Sequence, residues 1–317
     1  MNLSRGTSRS LEPSKEAPAP APIRVGTAGW LYEDWNGVVY PARAPRGFDR
    51  LAFQASLFDT NEINSTFYRI PAPRQTADWA RRVAHNSRFA FAAKLYRGFT
   101  HERSAGRAEE KEFAEAMRPL AEEGRLGAIL VQFPFSFRNT AENRAHLTEV
   151  LGRFARFPLA VEFRHESWNG QEVLRALEER GAAFVNIDQP RLSGNLPETN
   201  HTTSGISYYR FHGRNAPKWF GPDTSNEERY NYLYSSEELE PWAARIEEAT
   251  KRRPRTSVYA ILNNHFRGQA VANAVTLQHR LTGAGPDVPP ALIHSYPALA
   301  RIVAARPADA QRRLFPE

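Results

Sequence analysis

Short apolar runs recur along the chain, and most are followed by a stretch in which apolar positions return at helical spacing. The runs Ile23–Gly29, Thr60–Asn64, Phe89–Lys94, Gly127–Phe133, Leu159–Phe163, Ala183–Asp188, Ser207–His212 and Ser257–Asn263 read as strands. Helical patterns over 48–58, 76–83, 108–122, 141–155, 171–180, 237–250 and 269–281 separate them. Gly181 stands where a C-terminal cap glycine belongs, and Ser235 and Ser236 precede Glu237 and Glu238 as an N-cap would. Strands alternating with helices over about 260 residues predict an α/β protein with a single (β/α)8 TIM barrel. The weakest unit is Gln189–Gly205, where no helical pattern follows the sixth strand. A doubly wound open sheet is the alternative, but Gly26-Thr27-Ala28-Gly29 is not G-x-G-x-x-G and there is no P-loop motif. Residues 1–22, rich in Ser, Pro and Ala, are expected to be a disordered tail. The barrel is expected over 23–283, with 284–317 packed on it or trailing from it.

The chain has 317 residues and no cysteine, which excludes a disulfide scaffold, a thiol nucleophile and zinc-finger or iron–sulfur sites. No apolar run approaches the ~18 residues of a membrane span, and Met1–Pro22 lacks the apolar core of a secretory signal. A cytoplasmic protein without membrane contact is the expectation. The net charge of +7 admits nucleic acid as a partner. Only five of the 42 basic residues are lysines, however, so the arginine bias offers genome composition as a second explanation.

In a barrel of this kind, chemistry sits at the C-terminal ends of the strands. Seven of the eight expected strand ends carry a charged or amide side chain: Glu62 and Asn64, Lys94, Gln132, Glu162 and Arg164, Asp188, Arg210 and His212, and Asn263. Ionised groups are rarely buried unless paired or bound to a ligand. Such a ring therefore points either to a pocket for a polar ligand or to an internal salt-bridge network.

Three chemistries compete. Glu62, Glu162, Asp188 and His212 form a candidate O/N site for a divalent metal, although no H-x-H or H-E-x-x-H spacing supports it. No other cofactor is indicated. The loops after the seventh and eighth strands carry Arg214, Asn264 and Arg267 beside glycines, a pattern suited to a phosphate or carboxylate, unless the arginines pair with acids such as Asp223. Metal-free acid–base chemistry would use Glu62, Lys94, Glu162 and Asp188. Lys94 could alternatively form a Schiff base or simply a salt bridge. Asn64, Gln132, Arg164, Arg210, His212, Arg214, Asn263, Asn264 and Arg267 are the candidate binding residues for a small anionic or sugar ligand. Aromatic loops around Trp30, Tyr32 and Trp35, around Trp219 and Phe220, and around Tyr230–Tyr234 read either as lids or as rim packing.

Gly26-Thr27-Ala28-Gly29-Trp30 with Tyr32, Trp35 and Gly37, and Glu62-Ile63-Asn64-Ser65-Thr66-Phe67-Tyr68, resemble motifs of the YecE-like family, a domain of unknown function of the DUF72 type. Gln132-Phe133-Pro134, Glu162-Phe163-Arg164-His165, Arg210-Phe211-His212-Gly213-Arg214, Tyr230–Tyr234 and Asn263-Asn264 are similar too, so the likeness covers roughly Ile23 to Leu281. The resemblance implies a TIM barrel and no established reaction. The barrel type is also similar to those of endonuclease-four-like and xylose-isomerase-like enzymes, but a histidine-rich zinc constellation is missing. The sequence thus leaves open an enzyme acting on a phosphate- or sugar-containing ligand, as a hydrolase or isomerase, or a nucleic-acid-binding protein.

Overall fold

A computed structural model describes residues 22–219 and 224–304. Of the expected tail only Pro22 lies within this range, and Phe220, Gly221 and Asp223 fall outside it.

Eight parallel strands close into a barrel in sequence order. They are β1 (Ile23–Ala28), β2 (Thr60–Ile63), β3 (Ala90–Lys94), β4 (Leu126–Gln132), β5 (Leu159–Glu162), β6 (Ala183–Asp188), β7 (Ile206–Phe211) and β8 (Ser257–Leu262). β8 pairs back onto β1 in the register Val25↔Ala260. The strands are buried on both faces, which is why they read as near-continuous apolar runs. Gly26 marks the tightest approach between β1 and β2, where an added Cβ would lie 2.0 Å from the Thr60 carbonyl oxygen.

The outer layer consists of α1 (Arg50–Leu57), α2 (Pro73–Arg82), α3 (Arg107–Glu122), α4 (Ala141–Arg153), α5 (Gln171–Glu179), α6 (Ser236–Arg252) and α7 (Gln269–Thr282). Their starts are chemically marked. Asp49 accepts from the Leu51 and Ala52 amides at α1, and Ser235 and Glu238 form a reciprocal capping box at α6. Gly181 follows α5 with φ +62°, the left-handed geometry of a C-terminal cap.

No helix separates β6 from β7, and the 189–205 connection runs back along the sheet as irregular chain. Side chains satisfy its backbone in place of a helix. Asn186 accepts from the His201 amide and donates to the His201 carbonyl, and Thr203 bridges the Phe184 amide and the Ala182 carbonyl. Beyond α7, helix α8 (Pro290–Ser295) and the following turn bury Val288, Leu292 and Leu299 against the β8–β1 side. Among the described residues no helix is long and apolar enough to cross a membrane.

Candidate functional site

A cavity of about 580 Å³ opens at the C-terminal ends of the strands. Asn64, Lys94, Gln132, Arg164, Arg210 and Asn263 all line it, so strand ends far apart in sequence converge as the barrel geometry requires. Tyr32, Tyr230 and His265 form one aromatic wall, with Tyr32 stacked on His265 at 4.4 Å between ring centroids. Leu31 and Tyr68 stand exposed at the rim. At the same rim Glu33 pairs with Arg50, and Asp34 accepts from the Arg267 amide. A wider groove of about 920 Å³ lies between α3 and α4, away from the strand ends. Its Arg153 and Arg156 face Glu110 and Glu149.

The cavity floor is a charge network built on Arg210. Its guanidinium binds Glu62 bidentately, with Nε–Oε2 at 2.9 Å and Nη2–Oε1 at 2.6 Å, and reaches Glu162 Oε2 through Nη1 at 2.5 Å. Tyr208 adds a hydroxyl hydrogen bond to Glu62 at 2.8 Å. Arg164 Nε lies 2.6 Å from Glu162 Oε1, in ionic contact without hydrogen-bond alignment. Burial alone would raise the Glu162 carboxyl, but Arg164 and then Arg210 outweigh it and hold the group well below the usual carboxylate range. Glu162 is therefore an ionised counter-charge, and the two buried glutamates face two arginines, Arg210 contacting both and Arg164 contacting Glu162.

His212 lies beside this network, fully buried. The Asn263 amide lies 3.0 Å from Nδ1, and Nε2 lies 3.4 Å from both Glu162 Oε1 and Arg210 Nη1. Burial, reinforced by Arg164, lowers its pKa to about 3, so the imidazole is neutral at physiological pH.

Lys94 differs from its neighbours. The two carboxylates of the cavity floor are committed to the two arginines. Among the described residues no carboxylate lies within ion-pair distance of Nζ, which sits 3.9 Å from the centroid of the Phe67 ring. Burial and then repulsion by Arg210 lower its pKa to about 7, against the opposing pull of Glu162 and Glu62. The salt-bridge alternative for Lys94 is thereby corrected: Arg210 and Arg164 have already taken the acids.

Other expected site residues face elsewhere. Asp188 shares the outward side of β6 with Asn186, not the cavity side. It is saturated by Arg214 (Nη2–Oδ2, 2.5 Å), by the Tyr234 hydroxyl (2.6 Å) and by Trp242 Nε1 (2.7 Å) on α6. The metal set Glu62, Glu162, Asp188 and His212 therefore does not converge. Arg210 occupies the position between Glu62 and Glu162 that a cation would take, and no cluster of three metal-ligating side chains is found among the described residues. On the last two loops, several of the groups expected to bind an anion are engaged within the protein. Arg214 is spent on Asp188 and also approaches Glu198 and Glu238. Asn264 ties Tyr232 to Asn273, and the Arg267 amide, in a left-handed turn with φ +48°, is taken by the Asp34 carboxylate at 2.6 Å.

Sequence reasoning missed His265, Tyr208 and Asp34 as parts of the site. Tyr208 alternates with Arg210 and His212 along β7, and that parity was the available signal. The aromatic loops divide: Trp35 is buried and donates to the His265 carbonyl, whereas Tyr32 and Tyr230 face the cavity. Trp219 is also buried, 5.9 Å from the Arg164 guanidinium.

A closed parallel barrel with a polar, aromatic-walled cavity at its C-terminal mouth defines a TIM-barrel protein. Within that class the chain belongs to the family described as "Protein of unknown function DUF72", whose profile matches residues 24–295. It is 29% identical over 266 residues to the UPF0759 protein YunF of Bacillus subtilis (strain 168), covering 79% of this chain and 92% of YunF. A crystal structure of a DUF72 family protein from Thermotoga maritima MSB8 is 35% identical with a TM-score of 0.71, covering 82% of this chain and 98% of that one. One from Enterococcus faecalis V583 is 27% identical with a TM-score of 0.73, covering 84% and 98%. The family membership read from the motifs is borne out.

Proposed function

We propose that this protein binds and transforms a small hydroxylated anion, such as a sugar phosphate or sugar acid, in the cavity at the barrel mouth, acting in the cytoplasm. The observation that carries the reading is the Lys94 amine, which lines the cavity beside Arg164 and Arg210 with no carboxylate in ion-pair distance among the described residues. An anionic ligand would supply the missing counter-charge. Asn64, Gln132 and Asn263 offer amides to ligand hydroxyls, Arg164 offers its outer guanidinium face, and Tyr32 and Tyr230 offer ring faces to a sugar. In this reading Glu62 and Glu162 are positioning residues that hold Arg210 and Arg164, and Asp188 holds the loop after β7.

The test is calorimetric titration of the full chain with ribose 5-phosphate, fructose 6-phosphate, 6-phosphogluconate, dihydroxyacetone phosphate and their uncharged parents. At least one phosphorylated member should bind, and bind at least tenfold more weakly to Arg164→Met and to Glu162→Gln. No binding, or binding indifferent to both substitutions, overturns the reading. A second reading, nucleic-acid binding, is favoured by the exposed Tyr68 and Leu31 at the rim together with the net charge of +7. Its mark would be an affinity for DNA that falls steeply with salt.

A further inference from the structure

We propose that Lys94 is a covalent catalytic residue whose Nζ forms an imine with the carbonyl carbon of a small hydroxylated aldehyde or ketone bearing an anionic group. The inference rests on the reading of the cavity as a small-anion site and names the reacting atom within it.

Four observations converge on Nζ. Lys94 ends β3 and lines the cavity, placing its amine where a ligand would sit. Among the described residues it has no ion-pair partner, and Nζ lies 3.9 Å from the centroid of the Phe67 ring. In a chain with five lysines among 42 basic residues, both carboxylate-binding positions of the cavity are arginines, and the unpaired position is a lysine. Arginine cannot give up its proton in a protein, whereas a buried lysine can. The groups facing Nζ are Arg210 on β7, Arg164 and Glu162 after and on β5, Glu62 on β2 and His101 beyond β3. Burial and Arg210 outweigh the two acids, so a large share of the amine is unprotonated at neutral pH.

The step balances without an oxidant or reductant. The Nζ lone pair adds to the carbonyl carbon, and one of the nitrogen's protons passes to the carbonyl oxygen, giving a neutral carbinolamine. The carbinolamine hydroxyl then takes up one proton and leaves as water as the carbon–nitrogen double bond forms. The products are a protonated imine and one water. The iminium draws electrons from the neighbouring carbon, which makes a C–H or C–C bond there easier to break. The amides of Asn64, Gln132 and Asn263 are placed to hold hydroxyls flanking that carbon.

The experiment uses the full chain with dihydroxyacetone phosphate and, separately, pyruvate at pH 7, each with sodium cyanoborohydride, followed by peptide mapping. Five lysines make the map unambiguous. The expected result is an adduct on Lys94, heavier by the probe less one oxygen, at least tenfold above Lys111, Lys218 and Lys251. A hydroxylated-sugar ligand predicts dihydroxyacetone phosphate as the better probe, and a 2-oxo acid predicts pyruvate. Lys94→Arg should abolish trapping. Labelling spread evenly over the lysines overturns the imine. A probe that binds by calorimetry and leaves no adduct also overturns it and leaves the binding reading standing; if no panel member binds, both fall. Without any ligand, trinitrobenzenesulfonate at pH 7 should modify Lys94 several-fold faster than the other lysines, and an equal or slower rate contradicts an unprotonated amine.

Discussion

Replacing Lys94 by Met should make the protein more stable at neutral pH. Burial and Arg210 lower the Lys94 pKa from the ordinary 10.5 to about 7. At ~1.4 kcal/mol per pH unit, that gap corresponds to roughly 5 kcal/mol between a fully charged and a fully neutral native amine, or about 4 kcal/mol at pH 7. Lys94 is only half-buried and its ammonium gains from the Phe67 face, so the realised penalty is on the order of 2 kcal/mol. Met matches the lysine stem in length and places its sulfur over the same ring. The sign follows from linkage. The native pKa is depressed, so the unfolded chain binds the extra proton between about pH 7 and 10.5. The wild-type penalty is therefore complete below pH 7 and fades as pH rises towards 10.5. Guanidinium denaturation of both proteins at pH 6.5, 8 and 10 tests this. Lys94→Met should be the more stable by about 2 kcal/mol at pH 6.5, with the difference shrinking to near zero at pH 10. A variant that is less stable at pH 6.5, or a difference independent of pH, would refute the reasoning.

Three further outcomes are expected. Arg210→Met strands the Glu62 and Glu162 carboxylates in the barrel, so denaturation should show a loss of about 3–5 kcal/mol, partly recovered by adding Glu62→Gln. Asp188→Asn breaks the Arg214 pair and leaves the Tyr234 and Trp242 donors competing for one oxygen. It should cost about 2–4 kcal/mol while the cavity's ligand affinity changes less than about twofold, because Asp188 faces α6. Gly26→Ala puts a methyl group 2.0 Å from the Thr60 carbonyl oxygen, and expression followed by circular dichroism should reveal loss of more than about 3 kcal/mol or failure to fold.

The barrel was legible because parallel strands covered on both faces must be apolar throughout, and the outer helices must carry a periodic apolar stripe. Even the helix-free 189–205 connection was visible as a missing period, although the Asn186 and Thr203 clasps that replace the helix are tertiary contacts that no local pattern announces. At the strand ends, Asn64, Lys94, Gln132, Arg164, Arg210 and Asn263, all singled out from the sequence, line one cavity. The strand-end rule placed Asp188 on the wrong side, because both faces of β6 are buried and residue parity then loses its meaning. The partners that claim Asp188, Tyr234 and Trp242, lie 46 and 54 residues away. The Arg267 backbone amide is taken by a carboxylate that comes from Asp34, 233 residues earlier, a contact no local pattern announces. Side-chain type marks where charge collects, and only the closed fold decides which charges cancel.

Protection of Lys94 from modification tests the central claim most directly. The full chain is treated with trinitrobenzenesulfonate at pH 7, alone and with each member of the sugar-phosphate panel, and the lysines are quantified by peptide mapping. The expected result is that at least one phosphorylated ligand slows modification of Lys94 tenfold or more, while Lys111, Lys218 and Lys251 react unchanged. If every ligand leaves Lys94 reacting at its unliganded rate, the cavity does not hold a small anion against this amine.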